Sequence, residues 1–268
     1  MINVAVTGSA GRMGKMMILA VTDDPDLTLS GAIEMSGHSD IGRDAGTCAG
    51  GSDLGVKITD DIETALDNAD VLIDFSMPKG AMAALSVCAN MGVPAVTGTT
   101  GQDDDGVSKI KKYSEKIPIV MAPNMSVGVN LLFKLSGEVA EILGSDFDIE
   151  IVEAHHNKKV DAPSGTAKRL FEIIASSLKR DPRDVGVYGR EGNVGARTEK
   201  EIGVFAVRAG DIVGEHTVIF GGTGERIELT HKAHSRMTFV KGAVRAAKWI
   251  VNKGPGLYDM QDVLGLKS

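Results

Sequence analysis

Residues 2–14 read INVAVTGSAGRMG. Ile2–Val6 is mostly apolar, as expected of a buried strand, and the apolar run stops at a glycine. Glycines follow at positions 8, 11 and 14, and the helical pattern Arg12–Val21 begins among them. A strand, a glycine-rich turn and a helix N-terminus predict a phosphate-binding loop, because backbone N–H groups and the positive end of the helix dipole would face the anion.

Glu34 makes this interpretation more specific. The second predicted strand, Leu27–Ile33, ends just before it, and it lies twenty residues after Gly14. An acid at this distance typically binds the ribose hydroxyls of a dinucleotide. The glycine spacing, G-x-x-G-x-x-G, departs from the common G-x-G-x-x-G, so a plain glycine turn beside a surface glutamate stays open as the alternative. We predict a nicotinamide dinucleotide, NADH or NADPH.

Position 35 bears on the choice between these two cofactors. A base here would pair with the 2′-phosphate of NADPH, but the residue is Met35. Arg12 and Arg43 are the remaining candidates for a phosphate partner in this part of the sequence. We therefore expect NADH to serve at least as well as NADPH.

Strands and helices alternate through the first half of the chain. Further strands are predicted at Val71–Asp74, Val93–Thr97 and Ile117–Met121, with helices at Ile62–Asp67, Ala81–Met91 and Gly106–Ser114. This alternation is typical of βαβ units on a doubly wound parallel sheet, the Rossmann-type α/β architecture. Gly37–Asp53 is rich in Gly, Ser and Asp and is interpreted as a loop or small insertion.

The pattern changes near Ser126, where we predict a smaller α+β domain with a mixed or antiparallel sheet. The predicted elements are helices at Val127–Leu143 and Ser164–Leu178, strands at Phe147–Ala154, Glu201–Val207, Glu215–Phe220 and Glu225–His231, and a polar loop at Arg180–Lys200. Lys241–Val251 is again helical and alanine-rich, as in helices that cover a parallel sheet. We expect residues 1–125 and 237–268 to form the dinucleotide-binding domain and 126–236 the substrate-binding domain.

Composition excludes several classes of protein. The chain has 268 residues, with 29 Lys and Arg against 36 Asp and Glu, and the net charge of −7 argues against a nucleic-acid partner. No apolar run reaches the roughly 18 residues of a membrane helix, so no membrane partner is expected. Cys48 and Cys88 are too few for a disulfide scaffold or a cysteine–metal cluster. The first residues lack the features of a signal peptide, so we expect a cytoplasmic location.

The densest chemistry lies in EAHHNKKVDAPSGT, residues 153–166, between a strand end and a helix start. Neighbouring strand residues point to opposite faces, so His155 and His156 would diverge and we expect no metal site. Lys159 and the helix N-terminus offer two positions for anions, which suit a small dicarboxylate substrate. A histidine beside them suits proton transfer. A solvated basic loop with one satisfied histidine is the alternative.

Several motifs together resemble the dihydrodipicolinate reductase (4-hydroxy-tetrahydrodipicolinate reductase) family over essentially the whole chain. The run HHNKKVDAPSGT, residues 155–166, is close to diagnostic, whereas the glycine loop alone is not. The other motifs are VTGSAGRMG (6–14), IDFS (73–76), GTTG (98–101), APNMSVGVN (122–130) and RAGDIVGEHT (208–217). Met35 departs from the family pattern, because many members have arginine there.

This resemblance implies a reaction of lysine and diaminopimelate biosynthesis, in which hydride from a reduced nicotinamide converts a cyclic dehydrated dicarboxylic imine to tetrahydrodipicolinate. It also implies a homotetramer assembled through the sheet of the second domain. His155 would donate or accept a proton and Lys159 would donate one, while His156, Gly165 and Thr166 would bind the substrate. The cofactor residues that it implies are Gly8, Ser9, Ala10, Gly11, Arg12, Met13, Glu34, Gly98, Thr99, Thr100, Ala122, Pro123, Asn124 and Met125.

Two other functions are compatible with part of the same sequence. Another two-domain nicotinamide oxidoreductase, acting on an acidic amino acid, would share the glycine loop but not the run at 155–166. A non-catalytic dinucleotide sensor would need no proton-donating cluster and would carry a DNA-binding element. The sequence has no helix-turn-helix pattern and no basic recognition helix.

Overall fold

The strand that starts at Ile2 lies inside a seven-stranded sheet in which every neighbouring pair is parallel. A computed structural model of the protein describes residues 1–267. The strands of this sheet are β1 (Ile2–Thr7), β2 (Leu27–Ile33), β3 (Ile58–Thr59), β4 (Val71–Asp74), β5 (Ala95–Thr97), β6 (Pro118–Met121) and β12 (Gly256–Tyr258). Their spatial order is β12-β6-β5-β4-β1-β2-β3. The helices of the same unit are α1 (Arg12–Asp23), α2 (Ala45–Ala49), α3 (Ile62–Leu66), α4 (Pro78–Met91), α5 (Asp104–Ser114), α9 (Met237–Ile250) and α10 (Met260–Val263).

Both faces of this sheet are buried, which explains why its strands are mostly apolar. Successive side chains of a strand point to opposite faces. On β4, Val71 and Ile73 join the apolar cluster that contains α1 and α9, whereas Leu72 joins the cluster that contains α4 and α5. Helices therefore cover the sheet on both sides, as in a doubly wound fold.

A second sheet has five strands in the order β11-β10-β7-β9-β8. Strand β10 is antiparallel to both of its neighbours, whereas β7, β9 and β8 are parallel to one another, so the sheet is mixed. The elements of this unit are α6 (Val127–Leu143), β7 (Asp148–His155), α7 (Gly165–Ser177), α8 (Pro182–Val185), β8 (Gly186–Val187), β9 (Ile202–Arg208), β10 (Gly214–Gly221) and β11 (Arg226–Ala233). The predicted fold class, a doubly wound parallel sheet with a smaller α+β part, is confirmed.

One face of the mixed sheet forms the core of this second unit. Ile149 and Ile151 of β7 and Phe220 of β10 are buried against Phe133 of α6 and Leu170 of α7. Side chains on the opposite face are more exposed, so buried and partly buried residues alternate along β10. The chain as a whole divides into two compact units, Gly128–Arg236 and the remainder.

Several short elements differ from the sequence predictions. The predicted loop Gly37–Asp53 contains α2, because the Asp44 side chain accepts hydrogen bonds from the N–H groups of Thr47 and Leu54. The predicted loop Arg180–Lys200 begins with α8, which Asp181 caps, and continues into β8. The elements that no pattern predicted are β3, β12 and α10, which are too short to show a period. Within residues 1–267, no helix combines the length and apolarity that a membrane span requires.

Candidate active site

The segments that contain the predicted cofactor residues begin directly after the last residues of four strands, at the carboxyl edge of the parallel sheet. Strand pairing places Ile33, Thr7, Asp74, Thr97 and Met121 side by side across five strands. The chain leaves four of these strands directly into Glu34, Gly8, Gly98 and Ala122. The carboxyl edge of an open parallel sheet is where such folds bind ligands. Four separate segments of the sequence thus meet at one edge.

The glycine loop is shaped by close backbone contacts. Gly8 has a φ of +66°, and a Cβ atom there would lie 3.0 Å from the Phe75 carbonyl oxygen. A Cβ atom on Gly14 would lie 2.0 Å from the Gly8 carbonyl oxygen, so the first turn of α1 packs directly onto the loop. Ser9 fixes the loop to β2, because its N–H and its hydroxyl both donate to the Ile33 carbonyl at 3.1 Å.

Helix α1 starts in this loop, and its N-cap residue, Gly11, offers no side chain to bind the first N–H groups of the helix. Uncapped N–H groups at a helix start are suited to an anion, and the absence of side chains lets a pyrophosphate approach the backbone. The residues present therefore fit a dinucleotide. Arg12 and Gly11 are exposed at this helix start, Ala10 and Met13 are partly buried, and Ser9 is fully buried.

Glu34 contacts the glycine loop itself. Its Oε2 accepts a hydrogen bond from the Ala10 N–H at 3.0 Å, and its Oε1 accepts one from the Met35 N–H at 2.9 Å. The side chain of Met35 is exposed, at 71%. Arg43, the other base considered for a 2′-phosphate, is paired with Asp40. No base therefore stands directly beside Glu34 in the sequence, and Arg43 is already engaged.

The other two predicted cofactor segments follow β5 and β6. The Gly98 N–H donates to the Asp74 carbonyl at 2.9 Å, and a Cβ on Gly98 would lie 2.4 Å from the Phe75 ring. Thr99 is buried and Thr100 is exposed. After β6, the Ala122 N–H donates to the Thr97 carbonyl at 3.2 Å. Ala122 and Met125 are buried, Asn124 is partly buried and Pro123 is exposed.

The second unit holds a polar cluster at the end of its otherwise apolar sheet face. Pairing places Glu153 of β7 directly opposite His216 of β10, and His155 opposite Arg208 of β9. Glu153 and His155 are two residues apart and therefore share a face with the buried Ile151. Strand β7 and the later strands β9 and β10 thus supply one group of titratable side chains.

Glu153 lies at the centre of this cluster, with no exposed surface. Arg208 binds it with two nitrogens, each 2.8 Å from a different carboxylate oxygen. The Ser164 N–H donates to Oε1 at 3.0 Å, and His155 Nδ1 lies 2.6 Å from Oε2. Burial raises the pKa of Glu153, but the hydrogen bonds from Arg208, His155 and Ser164 outweigh it and hold the pKa below its ordinary value. Glu153 is therefore a buried carboxylate.

His155 is oriented by this carboxylate. Because Nδ1 is bound to Glu153, Nε2 is the nitrogen left for chemistry. Gly214 packs close to this nitrogen, since a Cβ atom at position 214 would lie only 3.1 Å from Nε2. Burial lowers the pKa of the His155 imidazole, although the bond to Glu153 acts in the opposite direction and raises it. The positive charge of Lys159 also lowers this pKa. The imidazole is therefore an oriented base that is close to neutral at physiological pH.

His216 packs edge-on against His155, with ring centroids 5.2 Å apart. It is buried, and its Nε2 lies 3.0 Å from the Ser164 hydroxyl. Burial lowers the pKa of His216 to about 3, so this ring stays neutral. The structure thus places His216, to which the sequence motifs assigned no role, beside His155.

The turn after β7 carries the predicted substrate residues. The Lys159 ammonium lies 2.8 Å from an Asp161 oxygen. Ser164 caps α7 by accepting the Ala167 N–H at 3.2 Å. Gly165 is exposed and Thr166 partly buried in the first turn of α7, and His156 is partly buried just before the turn.

Sequence reasoning did not identify Glu153, Arg208 or His216 as functional residues. The i, i+2 spacing of Glu153 and His155 in a strand was a usable signal, because it predicts that both side chains share a face. Nothing local connects Arg208 or His216 to that pair. Among residues 1–267, no group of three or more His, Cys, Asp or Glu side chains has an arrangement that would hold a metal ion.

Comparison with known proteins agrees with this architecture. The family model for dihydrodipicolinate reductase, N-terminus, matches residues 2–125, and that for dihydrodipicolinate reductase, C-terminus, matches residues 128–264. The 4-hydroxy-tetrahydrodipicolinate reductases of Chromohalobacter salexigens and Geobacter sulfurreducens are both 54% identical to this chain, with 100% of each chain covered.

A solved structure is similar over the same length. The dipicolinate-bound dihydrodipicolinate reductase from Paenisporosarcina sp. TG-14 matches with a TM-score of 0.77 at 25% identity, covering 98% of both chains. The two family models together span nearly all of the sequence, and the full-length relatives share more than half of its residues. The chain therefore belongs to the dihydrodipicolinate reductase family and is an oxidoreductase.

Proposed function

We propose that this enzyme reduces 4-hydroxy-tetrahydrodipicolinate to tetrahydrodipicolinate with NADH or NADPH, as a step of lysine and diaminopimelate biosynthesis. The observation that carries the proposal is the His155–Glu153–Arg208 cluster, which is hydrogen-bonded to the N-cap residue of α7, in a chain 54% identical to reductases of that name. No comparable observation favours the acidic amino-acid dehydrogenase or the dinucleotide sensor.

The first unit, from residues 1–125 and 237–268, is proposed to bind the cofactor. The loop from Gly8 to Met13 would hold the pyrophosphate, and Glu34 the adenosine ribose hydroxyls. The segments Gly98–Thr100 and Ala122–Met125 would lie on the nicotinamide side. The bound reduced nicotinamide would supply the hydride.

The second unit, residues 126–236, is proposed to bind the substrate. The first turn of α7, at Gly165 and Thr166, faces one substrate carboxylate with N–H groups and the positive end of the helix dipole. His156 contributes to the same binding. Lys159 supplies the positive charge that binds the second substrate carboxylate. In this structure its ammonium group is paired with Asp161.

Proton transfer is assigned to Lys159 and His155. Loss of water from the 4-hydroxy substrate gives the conjugated imine. Addition of hydride to this imine then leaves an atom that must be protonated. Lys159 donates a proton from Nζ, whereas His155, whose pKa is lowered mainly by burial, exchanges a proton at Nε2. Glu153 keeps Nδ1 occupied, so the exchange is confined to the nitrogen that faces away from it.

Cofactor preference, assembly and location complete the proposal. NADH is proposed to serve at least as well as NADPH, since Glu34 would repel a 2′-phosphate and Met35 supplies no compensating charge. No metal is required for the chemistry assigned to these residues. A cytoplasmic homotetramer, assembled through the mixed sheet, is proposed from the resemblance, and the exposed edge strand β11 is compatible with such an assembly.

One assay tests the central claim. Purified protein is mixed with enzymatically generated 4-hydroxy-tetrahydrodipicolinate, and the loss of reduced-nicotinamide absorbance is followed with NADH and NADPH separately. Rapid oxidation of the cofactor that depends on this substrate is expected. Oxidation with an acidic amino-acid precursor instead, or none with any substrate, would overturn the proposal.

A further inference from the structure

The most heavily hydrogen-bonded buried acid of the first unit is Asp74, the last residue of β4. It has no exposed surface. Its Oδ1 accepts hydrogen bonds from the hydroxyls of Thr7 and Ser76, both at 2.6 Å, and from the Ser76 N–H at 3.2 Å. Its Oδ2 accepts the hydroxyls of Thr97 at 2.7 Å and Thr99 at 2.8 Å. Four hydroxyl groups therefore converge on one carboxyl group.

These hydroxyls come from segments that meet only at the carboxyl edge of the sheet. Thr7 and Thr97 flank Asp74 in the strand register, on β1 and β5 respectively. Gly8 directly follows Thr7, and Gly98 directly follows Thr97. The Asp74 carbonyl also accepts the Gly98 N–H at 2.9 Å. One residue thus connects the base of the glycine loop to the base of the 98–100 segment.

We propose that Asp74 is a positioning residue that sets the spacing between these two cofactor-binding segments and thereby the affinity for the dinucleotide. This inference rests on the cofactor site of the proposed function. Asp74 touches neither cofactor nor substrate in this assignment. It acts through Thr7 on the pyrophosphate side and through Thr97 and Thr99 on the nicotinamide side.

The pattern of donors explains why a carboxyl group stands here. Both oxygens act as acceptors, and each receives two hydroxyl protons. Asparagine has nearly the same shape, but one of its two terminal atoms is an N–H₂ donor. Whichever way an amide at position 74 turned, two hydroxyls would lose their acceptor and would have to turn to accept from the N–H₂ group instead, so the geometry of one of the two connections would be disturbed.

Loss of the Thr7 connection and loss of the Thr97 connection should change the affinities for two ligands differently. ADP-ribose contains the pyrophosphate and adenosine but lacks the nicotinamide, whereas NADH contains all three. Release of the Thr7 connection should weaken both ligands. Release of the Thr97 connection should weaken NADH and leave ADP-ribose unchanged, which general destabilisation of the unit would not do.

The experiment measures dissociation constants of NADH and ADP-ribose on the full-length protein without substrate. The variants are Asp74→Asn, Thr7→Val and Thr97→Val, each close in shape to the wild type. Asp74→Asn should weaken NADH binding by about tenfold or more, since hydrogen bonds to a charged group are among the stronger ones. Thr97→Val should weaken NADH by several-fold but ADP-ribose by less than about twofold.

Asp70→Asn is the matched control. Asp70 lies just before the opposite end of β4 and accepts the Asn3 N–H at 2.7 Å, so its replacement also removes a carboxylate acceptor from the same strand region. Both dissociation constants should stay at the wild-type values. In the double variant Asp74→Asn/Thr97→Val, the loss of NADH affinity should be smaller than the sum of the single losses, because the two residues act through one contact.

The outcomes separate the inference from the proposed function. If folded Asp74→Asn binds NADH as tightly as the wild type, the inference is wrong and the proposed function is unaffected. If Asp74→Asn does not fold, the threonine variants decide, and wild-type affinities in both would overturn the inference. A wild type that binds NADH but does not reduce the substrate overturns the proposed substrate alone, and a wild type that binds neither ligand overturns both.

Discussion

His155 Nδ1 lies 2.6 Å from Glu153 Oε2, and the Glu153 side chain is fully buried. A buried carboxylate next to an imidazole fixes which nitrogen carries the hydrogen bond and leaves the other one for chemistry. Here the carboxylate is itself held by two nitrogens of Arg208. The orientation of His155 therefore depends on residues from two further positions in the mixed sheet.

Replacement of Glu153 by Gln should impair turnover and change its pH dependence. The carboxylate raises the pKa of His155 against the larger effect of burial, so its removal lowers that pKa further. We expect kcat to fall by about tenfold or more, within the range of general acid–base contributions. The limb of the kcat/KM profile that reports His155 should move to lower pH.

Glu150→Gln provides the control for this variant. Glu150 lies on the same strand but on the opposite face, where it pairs with Arg190 and Arg197. Its pH profile should match that of the wild type. An unshifted profile in Glu153→Gln would contradict the role assigned to the carboxylate.

Removal of Arg208 should destabilise the second unit. Arg208→Met leaves Glu153 buried without its main counter-charge, and breaking a buried ion pair in this way typically costs about 3–5 kcal/mol. Urea denaturation measures the loss in free energy of unfolding. The double variant Arg208→Met/Glu153→Gln should recover part of it, because no unpaired buried charge remains. Simple additivity of the two losses would argue against this coupling.

His155→Gln and Lys159→Ala should lose most turnover and retain NADH binding. Both residues belong to the second unit, whereas the proposed cofactor segments belong to the first. A loss of about 10²–10⁴ in kcat is expected from general acid–base catalysis, with an unchanged NADH dissociation constant. Lys158→Ala, at an exposed neighbouring position, serves as the control. Near-normal turnover in either site variant would show that its residue has no catalytic role.

Met35→Arg should increase activity with NADPH. Glu34 already accepts N–H groups from Ala10 and Met35, and Arg43 is paired with Asp40, so the wild type has no base committed to a 2′-phosphate there. A charge-assisted contact of about 1.5–3 kcal/mol corresponds to roughly tenfold or more in kcat/KM. The measurement is kcat/KM for both cofactors at fixed ionic strength. A wild type that strongly prefers NADPH, or a variant with unchanged preference, would show that position 35 does not control the choice.

His216 should remain neutral in mildly acidic solution. Burial lowers its pKa from the ordinary 6.5 to about 3, so between these values the unfolded chain binds a proton that the folded chain does not. This contribution to stability is complete above about pH 6.5 and is lost as the pH falls, by up to about 1.4 kcal/mol per pH unit. NMR titration should show that the His216 signal, assigned by its loss in His216→Gln, does not titrate above pH 5. A His216 signal that titrates near pH 6 would contradict this.

Much of the first unit could be predicted because its signals are local. The strand before Gly8, the glycines that follow and the acid at position 34 are read from nearby residues, and the alternation of strands with helices indicates a parallel sheet. The elements that escaped prediction, such as β3 and β12, contain only two or three residues. Their position depends on pairing with a strand that is distant in sequence. A segment of two or three residues is too short to show the two-residue period that would identify it as a strand.

The sequence by itself determined the doubly wound class, the family resemblance and the segments that carry His155 and Lys159. Only the tertiary structure decided that Glu153, Arg208 and His216 surround His155, and that the hydroxyls of Thr7, Thr97 and Thr99 converge on Asp74. The physical reason is strand register. A period of two residues tells which face a side chain occupies, but which residue of a distant strand lies opposite is set by the hydrogen-bonded pairing of the whole sheet.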